Sequence, residues 1–148
     1  MAFSFKHLTQ GILGNYSEVS NAELEKKYSQ YLMNGETISL GFELVRDVLI
    51  FTDKRLIIFD KQGATGIKMK VVSINLFSII SVEMETSGLG FDDSEVTFKY
   101  ITSPALNGYV VTYSDYKLEF PKKYNTHDIY TLLQSIAYDN CARINNLL

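Results

Sequence analysis

Five cations lie between residues 54 and 70 of this sequence, and their residue types are suited to binding an anion. They are Lys54, Arg55, Lys61, Lys68 and Lys70. Asp60 is the acid in the same segment, so its local net charge is +4. Ammonium and guanidinium groups form charge-assisted hydrogen bonds to phosphate and carboxylate oxygens. The segment is therefore a candidate contact surface for an anionic ligand or an acidic partner.

A second segment, residues 83–95, has the opposite charge. Its acids are Glu83, Glu85, Asp92, Asp93 and Glu95, and it contains no cation. The two segments could attract each other between copies of the chain, which would orient association. They could also do no more than keep strand edges solvated, because charged side chains protect such edges. The sequence leaves these two interpretations and an anionic ligand open.

The sequence lacks the motifs of catalysis and of cofactor or metal binding. Gly63 and Gly66 precede Lys68, but a phosphate-binding loop needs Gly-Lys-Ser/Thr at the start of a helix, and this segment joins two predicted strands. His7 and His127 lie near opposite ends of the chain, without cysteine or carboxylate at ligand spacing. We therefore predict no catalytic, cofactor-binding or metal-binding residue, and no enzymatic activity.

The composition indicates one globular domain. The chain has 148 residues, of which 46% are hydrophobic and 21% charged. Its net charge of -3 argues against a surface built to bind nucleic acid. The single Cys141 cannot form an intrachain disulfide, and the near-apolar stretch at residues 71–80 is too short to span a membrane. We predict a cytoplasmic protein, and the charge pattern gives membrane association no support.

The N-terminal extension, residues 1–34, is predicted to contain a helix at about residues 20–33. Ser20 and Glu23 form a capping box at its start. Tyr28 and Tyr31 lie on its apolar face. Because this helix is outside the main domain, the two tyrosines need a partner surface, either on the sheet or on another subunit.

The main domain, residues 35–148, is predicted to contain seven strands between about residues 36 and 120. Apolar residues alternate with polar ones, as at Ile38, Leu40 and Phe42, which is typical of a strand with one buried face. Asp53-Lys54-Arg55 separates the second and third strands and is expected to be a hairpin corner that faces water. The seventh strand is predicted at 109–120.

A last amphipathic helix is predicted at about residues 126–146, after Pro121 ends the sheet. Seven antiparallel strands with short turns and one terminal helix suggest a mainly β fold. The expected architecture is a small barrel or orthogonal sandwich that the C-terminal helix caps, with the N-terminal helix as an extension.

Several ordered runs of residues resemble the bacterial pleckstrin-homology (PH) domain family, formerly a domain of unknown function. They are Gly14-Asn15-Tyr16-Ser17-Glu18-Val19, Gly35-Glu36, Leu44-Val45-Arg46-Asp47, Phe51-Thr52-Asp53-Lys54-Arg55-Leu56-Ile57, Asp60-Lys61-Gln62-Gly63-Ala64-Thr65-Gly66 and Gly90-Phe91-Asp92. The resemblance covers nearly the whole chain. It implies a PH-like fold without established enzymatic activity, and a ring-shaped homo-oligomer with a pentamer as one candidate size.

Two functions follow as expectations. The first is a non-enzymatic module that self-assembles and serves as a scaffold or binding platform for an unknown protein partner. The second is a peripheral binder of anionic lipid or another anionic ligand, through the basic region of the third and fourth strands. The first hairpin offers only Arg46 as a cation, so the phosphoinositide binding of some eukaryotic PH domains does not transfer.

Overall fold

The structure is a computed structural model. It describes residues 20–44, 47–65, 67–88, 93–122 and 126–147. The chain divides into two compact units, the first ending at Asn75 and the second beginning at Leu76. Among the described residues, no helix is long and apolar enough to cross a membrane.

The first unit begins with helix α1, Asn21–Tyr28. Its predicted N-cap is confirmed, because Ser20 Oγ accepts a hydrogen bond of 3.3 Å from the backbone N–H of Glu23. The side chain of Leu24 is fully buried and anchors the helix. The sequence therefore sets the start of this helix through local chemistry alone.

The predicted end of this helix at residue 33 is wrong. The α-helix stops at Tyr28, and a 3-10 turn follows at Ser29–Tyr31. Arg55 donates a hydrogen bond to the carbonyl of Tyr31, and the backbone N–H of Met33 donates to Glu36 at 2.8 Å. Because tertiary contacts use these backbone groups, the chain leaves the helix early.

The first sheet has four antiparallel strands in the order β1-β2-β3-β4. They are β1 (Ile38–Glu43), β2 (Asp47–Thr52), β3 (Arg55–Gln62) and β4 (Lys68–Asn75). A register irregularity lies between Ile38 and Leu40, where β1 pairs with β2. All four strands fall within the predicted region.

One face of the first sheet, the helix face, packs under α1. Its buried residues include Ile50, Ile57 and Phe59, which form one cluster with Leu24. Residues directly opposite each other on paired strands share a face, so Phe59 of β3 places Val71 of β4 on the helix face too. Residues on the other face of β3 are also buried. The centre of the strand, residues 56–59, is therefore a continuous apolar run and does not alternate with polar residues.

The two outer strands of the first sheet differ. At β1, the Asn21 side-chain N–H donates to the carbonyls of Ile38 and Ser39, at 3.5 and 3.3 Å. At β4, the strand partner is β3, and no second strand pairs with it among the described residues. Asn21 thus binds carbonyls at one end of the outer edge of β1, whereas the outer edge of β4 is open among the described residues.

The second unit contains a three-stranded antiparallel sheet and a long helix. A 3-10 turn (Leu76–Ser78) leads into β5 (Ile79–Glu85), β6 (Ser94–Ile101), β7 (Tyr113–Phe120) and helix α2 (Thr126–Ile144). Asn140 of α2 is buried, and its side-chain N–H donates to the carbonyls of Leu76 and Ile79, at 2.6 and 2.8 Å. This amide joins the helix to the start of β5.

The predicted start of the seventh strand at residue 109 is wrong, because β7 begins at Tyr113. Residues Thr102 and Thr112 close a loop between β6 and β7. Their hydroxyl oxygens lie 2.7 Å apart, and the N–H of Thr102 donates to the carbonyl of Thr112 at 2.8 Å. This loop contains Asn107-Gly108, a pair that favours turns over strands.

The predicted mainly β fold class with flanking helices is confirmed. Among the described residues, seven strands form two antiparallel sheets, and a helix follows the last of these strands. The division into residues 1–34 and 35–148 stays a prediction.

Candidate functional site

Arg55 is the cation whose position differs most from its predicted role at a water-facing corner. Its side chain is only 12% exposed, and it pairs with Glu36, whose side chain is fully buried. Nε and Nη2 donate to the two carboxylate oxygens, each at 2.9 Å. A third contact joins Nη1 to the Ser73 hydroxyl at 3.0 Å. The prediction that this residue faces water is wrong, because the guanidinium neutralises a buried carboxylate.

The turn before Arg55 is held by the hydroxyl of Thr52, which is buried. Its Oγ1 accepts hydrogen bonds from the backbone N–H groups of Lys54 and Arg55, at 3.1 and 2.9 Å. It also lies 2.6 Å from Glu36 Oε1, to which it donates. One hydroxyl thus fixes the turn and contributes to binding the carboxylate.

Asp53 and Lys54 form the more solvent-exposed side of the corner. Asp53 Oδ1 accepts a hydrogen bond of 2.9 Å from the N–H of Thr37. Lys54 Nζ lies 3.0 Å from Asp53 Oδ2 and 3.4 Å from the carbonyl of Gly35. The corner therefore binds to the segment before β1, and its cations already have acceptors.

Two carboxyl groups at this corner have lowered pKa values. Burial alone would raise the pKa of Glu36. The hydrogen bonds from Arg55, Thr52 and Met33 together lower it by more than burial raises it, so the pKa lies below its ordinary value of 4.5. For Asp53, the hydrogen bond from the Thr37 backbone lowers the pKa most, and Lys54 adds to the effect. Both groups are held as carboxylates.

Sequence reasoning missed Glu36. It is one acid between Gly35 and Thr37, it follows no periodic pattern, and its partner lies 19 residues further on. Its position shortly before a strand is one that many solvated glutamates share, and the resemblance of Gly35-Glu36 to the family gives the residue no role.

The remaining cations of this segment form a smaller group at the other end of the first sheet, and we name Lys61, Lys68 and Lys70 the basic end. All three are exposed. In the part of the chain that the structure describes, none of them forms a salt bridge. Lys54 lies in the turn directly before the other end of β3, about 20 Å away along the strand. The structure does not bring the five predicted cations together.

The basic end is itself divided between the two faces of the sheet. Lys61 pairs with Met69, and Phe59 pairs with Val71, so Lys61 points to the helix face. Lys68 and Lys70 point to the opposite face. The predicted alternation of β4 is confirmed by this register.

Three of the predicted acids, Glu83, Glu85 and Glu95, lie in the second unit on the polar face of its sheet. Glu83 and Glu85 of β5 are exposed, and so is Asp93. Asp92 lies outside the described residues. The register aligns Glu85 with Glu95 of β6.

Two further residues of β7 belong to the same face, and sequence reasoning missed both. Glu119 lies opposite Glu95, so three acids from three strands form one row. Lys117 pairs with Glu95 at 2.8 Å. Hydrogen bonding and attraction by Glu95, together with Glu119 and Glu85, raise the pKa of Lys117. The strand register was needed to find this row, because Glu85 and Glu119 are far apart in sequence.

This polar face carries more acids than cations. Glu83, Glu85, Glu95, Asp115 and Glu119 form what we name the acidic face, and Lys99 and Lys117 are the cations among them. Lys99 lies 3.9 Å from Asp115 in an exposed pair. The face therefore keeps a net negative charge.

Tyr28 and Tyr31 pack on the first sheet. Their ring centroids lie 4.4 and 5.0 Å from that of Phe59. Of the two predicted partner surfaces for these tyrosines, the structure shows contact with the sheet. Burial is the largest cause that raises the pKa of Tyr28. Contact of these tyrosines with another subunit stays a prediction.

Groups suited to metal binding are not gathered among the described residues. No cluster of three or more His, Cys, Asp or Glu side chains there could hold a metal ion. His127 is exposed at the start of α2, and His7 lies outside the described residues.

Comparison with known proteins agrees with this geometry. The model of a family described as the bacterial PH domain matches residues 7–137. The uncharacterised protein YjqA of Bacillus subtilis (strain 168) is 45% identical over 86 residues, which cover 58% of this chain and 69% of that protein.

Solved structures are similar as well. A pleckstrin homology domain from Shewanella amazonensis SB2B is 30% identical with a TM-score of 0.64, covering 86% of this chain and 96% of that one. A DUF1696 family protein with a pleckstrin-homology domain, from Shewanella loihica PV-4, is 28% identical with a TM-score of 0.58, covering 84% and 98%. A PH-domain protein from Exiguobacterium sibiricum 255-15, at 22% identity and a TM-score of 0.57, covers 82% and 61% and shows the fold alone.

Proposed function

This chain belongs to the bacterial PH domain family, and on that premise we propose that it is a non-enzymatic module which assembles with copies of itself into a scaffold or binding platform. The non-enzymatic part rests on the lack of a paired base and nucleophile in the sequence. The proposed location is the cytoplasm. A ring is the proposed form of the assembly.

The row of Glu85, Glu95 and Glu119 carries the self-assembly proposal. Like charges directly opposite each other on neighbouring strands destabilise a sheet. Lys117 relieves only part of this repulsion, because one cation, paired with Glu95 and attracted by Glu85 and Glu119, faces three acids. We expect a cationic partner to bind this surface favourably, because it would reduce the repulsion among the three carboxylates.

The basic end of a second copy has the matching charge. Its three ammonium groups are exposed, and it lies in the first unit while the acidic face lies in the second. Contact between two different surfaces of identical chains is heterologous, and it forms a ring when the rotation closes. Charge complementarity would orient each copy against the next.

Reciprocal charge reversal tests this contact. We expect Glu85→Lys/Glu119→Lys and Lys68→Glu/Lys70→Glu each to weaken association, because each makes the two surfaces alike in charge. An equimolar mixture of the two variants should associate again. The measurement is the mass by light scattering at several protein and NaCl concentrations.

The controls are Glu25→Lys and Lys26→Glu on the exposed side of α1, which should keep the wild-type mass. A monomeric mass of the wild-type chain at every concentration would remove the self-assembly proposal. An oligomer that neither reversal weakens would show that other surfaces form it.

Binding of an anionic lipid is the alternative function, and it has less support. Of the five cations, Arg55 is committed to Glu36 and Lys54 lies next to Asp53. The basic end supplies three cations on two faces, which is few for one headgroup site. Flotation with neutral and anionic vesicles tests this alternative, and equal binding to both would count against it.

A further inference from the structure

The open edge of the first sheet at β4 could accept an added strand. β4 is the last strand of this sheet, and β3 is its strand partner among the described residues. An edge strand presents a row of backbone N–H and C=O groups that can pair with another extended chain. At β1, the Asn21 amide already binds two carbonyls at the start of the strand, so an added strand would have to displace it there.

The helix-face side of β4 is apolar and half uncovered, and we name Ile67, Met69 and Val71 the apolar shelf. Val71 is 39% exposed, and Ile67, directly before the strand, is 86% exposed. Met69 packs against the buried cluster under α1. α1 therefore stops short of β4 and leaves apolar area that a neighbouring strand could bury.

The opposite side of β4 is cationic. Lys68 and Lys70 are exposed there, two residues apart, with Gln62 and Asp60 of β3 as their cross-strand neighbours. Lysines on a sheet edge repel basic strands and disfavour neutral ones, which would desolvate the ammonium groups without pairing them, and this protects the protein from unwanted pairing. A strand with acids at the facing positions would turn this repulsion into attraction.

These two sides specify one kind of occupant. We propose that the β4 edge binds an extended segment of a partner protein in which acidic residues alternate with apolar residues. The apolar side chains cover the apolar shelf, and the acidic side chains pair with Lys68 and Lys70. Since side chains of a strand alternate between faces, a stretch of about five residues meets both requirements at once.

Binding of a segment at this edge does not require self-assembly, because a single chain carries the whole edge. Segment binding and self-assembly should compete, because Lys68 and Lys70 lie on β4 and are also part of the basic end. A neighbouring copy and an added segment should exclude each other at this edge.

Labelled peptides test the proposal directly. The probe is a fluorescein-labelled peptide of sequence Ser-Val-Glu-Val-Glu-Val-Ser, measured by fluorescence anisotropy against the full chain at low concentration. The matched control has the same composition in blocks, Ser-Val-Val-Val-Glu-Glu-Ser, and a second control replaces both glutamates by lysine. We expect the alternating acidic peptide to bind tightest.

Protein variants locate the contact. Lys68→Glu/Lys70→Glu should weaken binding of the acidic peptide about tenfold and favour the lysine peptide, since two attractive cross-strand pairs become repulsive. Val71→Lys should weaken binding of both peptides, and Lys26→Glu should change neither. Thermal unfolding of each variant shows whether it still folds.

Amide hydrogen exchange distinguishes strand addition from simple charge contact. The acidic peptide should protect amides of β4 and leave those of β7 unchanged. Equal binding of the block peptide, or no protection of β4, would overturn the proposal. If the protection of β4 amides rises with protein concentration and no peptide changes it, a second copy occupies the edge. That result would also overturn the proposal.

Discussion

Arg55 and Glu36 form a two-pronged ion pair, in which Nε and Nη2 of the guanidinium each lie 2.9 Å from a different carboxylate oxygen. Glu36 precedes β1 and Arg55 begins β3, so the pair joins two segments that are not neighbours in the sheet. The same carboxylate accepts from Met33, and the same guanidinium reaches Tyr31 and Ser73. The pair therefore sets the path of the chain from α1 into the sheet.

Breaking this pair should be costly. We expect Glu36→Leu and Arg55→Met each to lower the free energy of unfolding by about 3–5 kcal/mol, because each leaves an uncompensated charge in a buried site. The double variant should lose less than the sum of the two. It should still be less stable than wild type, since the backbone groups of Met33 and Tyr31 lose their partners.

Urea unfolding at pH 7 measures these changes. The matched control is Lys27→Met, which breaks the exposed pair of Lys27 with Glu43 at 3.6 Å and should cost about 0–1 kcal/mol. Additive losses in the double variant would contradict the coupling between Glu36 and Arg55.

The stability of the protein should fall in acid. The pKa of Glu36 is lowered in the folded state, so its contribution is full at pH values above 4.5, the ordinary value of the carboxyl group. It is lost as the pH falls through the folded-state pKa, because the unfolded chain binds the proton first. Asp53, whose pKa is also lowered from 3.8, adds to the loss at lower pH.

Urea unfolding between pH 7 and pH 3 should therefore show a smaller acid-induced loss for Glu36→Gln than for wild type. Asp53→Asn should remove only its own part of the pH dependence. An unchanged pH profile in Glu36→Gln would show that its carboxylate does not contribute to stability in this way.

Gly41 should be intolerant of a side chain. A Cβ at this position of β1 would overlap Leu24 Cδ1 and lie 3.3 Å from the carbonyl of Leu49. We expect Gly41→Ala to cost about 1–3 kcal/mol through this overlap, and Leu24→Ala to cost about 2–5 kcal/mol through a cavity. In the double variant the new methyl enters the vacated space, so the loss should be smaller than the sum.

Thermal unfolding measures the Gly41 series. Gly108→Ala is the control, because its Cβ would meet Ala105 at an ordinary 3.4 Å. Equal losses in Gly41→Ala and Gly108→Ala would contradict the close approach of α1 to β1.

Asn140 should be required in the second unit. Asn140→Ala removes the donor to the carbonyls of Leu76 and Ile79, and each buried carbonyl left without a partner costs about 1–3 kcal/mol. Asn140→Asp should be worse, because its carboxylate would face two carbonyl oxygens. Gln134→Ala on the exposed side of α2 is the control, and urea unfolding is the measurement. A loss in Asn140→Ala no larger than in the control would contradict this role.

Local patterns predicted much of this fold. Ser20 and Glu23 identified the start of α1, and alternation identified the strands, because both signals depend on residues close in sequence. The end of α1 was not predictable, since it depends on Arg55 and Glu36, which reach Tyr31 and Met33 from other elements. Tertiary contacts overrode the local helical pattern there.

The candidate surfaces were predictable only in part. Composition identified the cations and acids, but not that Arg55 is buried or that Glu119 joins the row of Glu85 and Glu95. Both facts depend on strand register, and a shift by one residue would reverse every side chain. The sequence therefore predicted the charge of each surface better than its members.

The difference between the two edges of the first sheet bears on fibril formation. Stacking copies into an endless ladder needs two open edges per molecule, one for each neighbour. Asn21 already binds two carbonyls at the start of β1, so a strand added there would have to displace its amide. Two copies that met through β4 would bring Lys68 and Lys70 of each close to those of the other. Like charges thus oppose extension of the first sheet at one edge, and the Asn21 amide opposes it at the other.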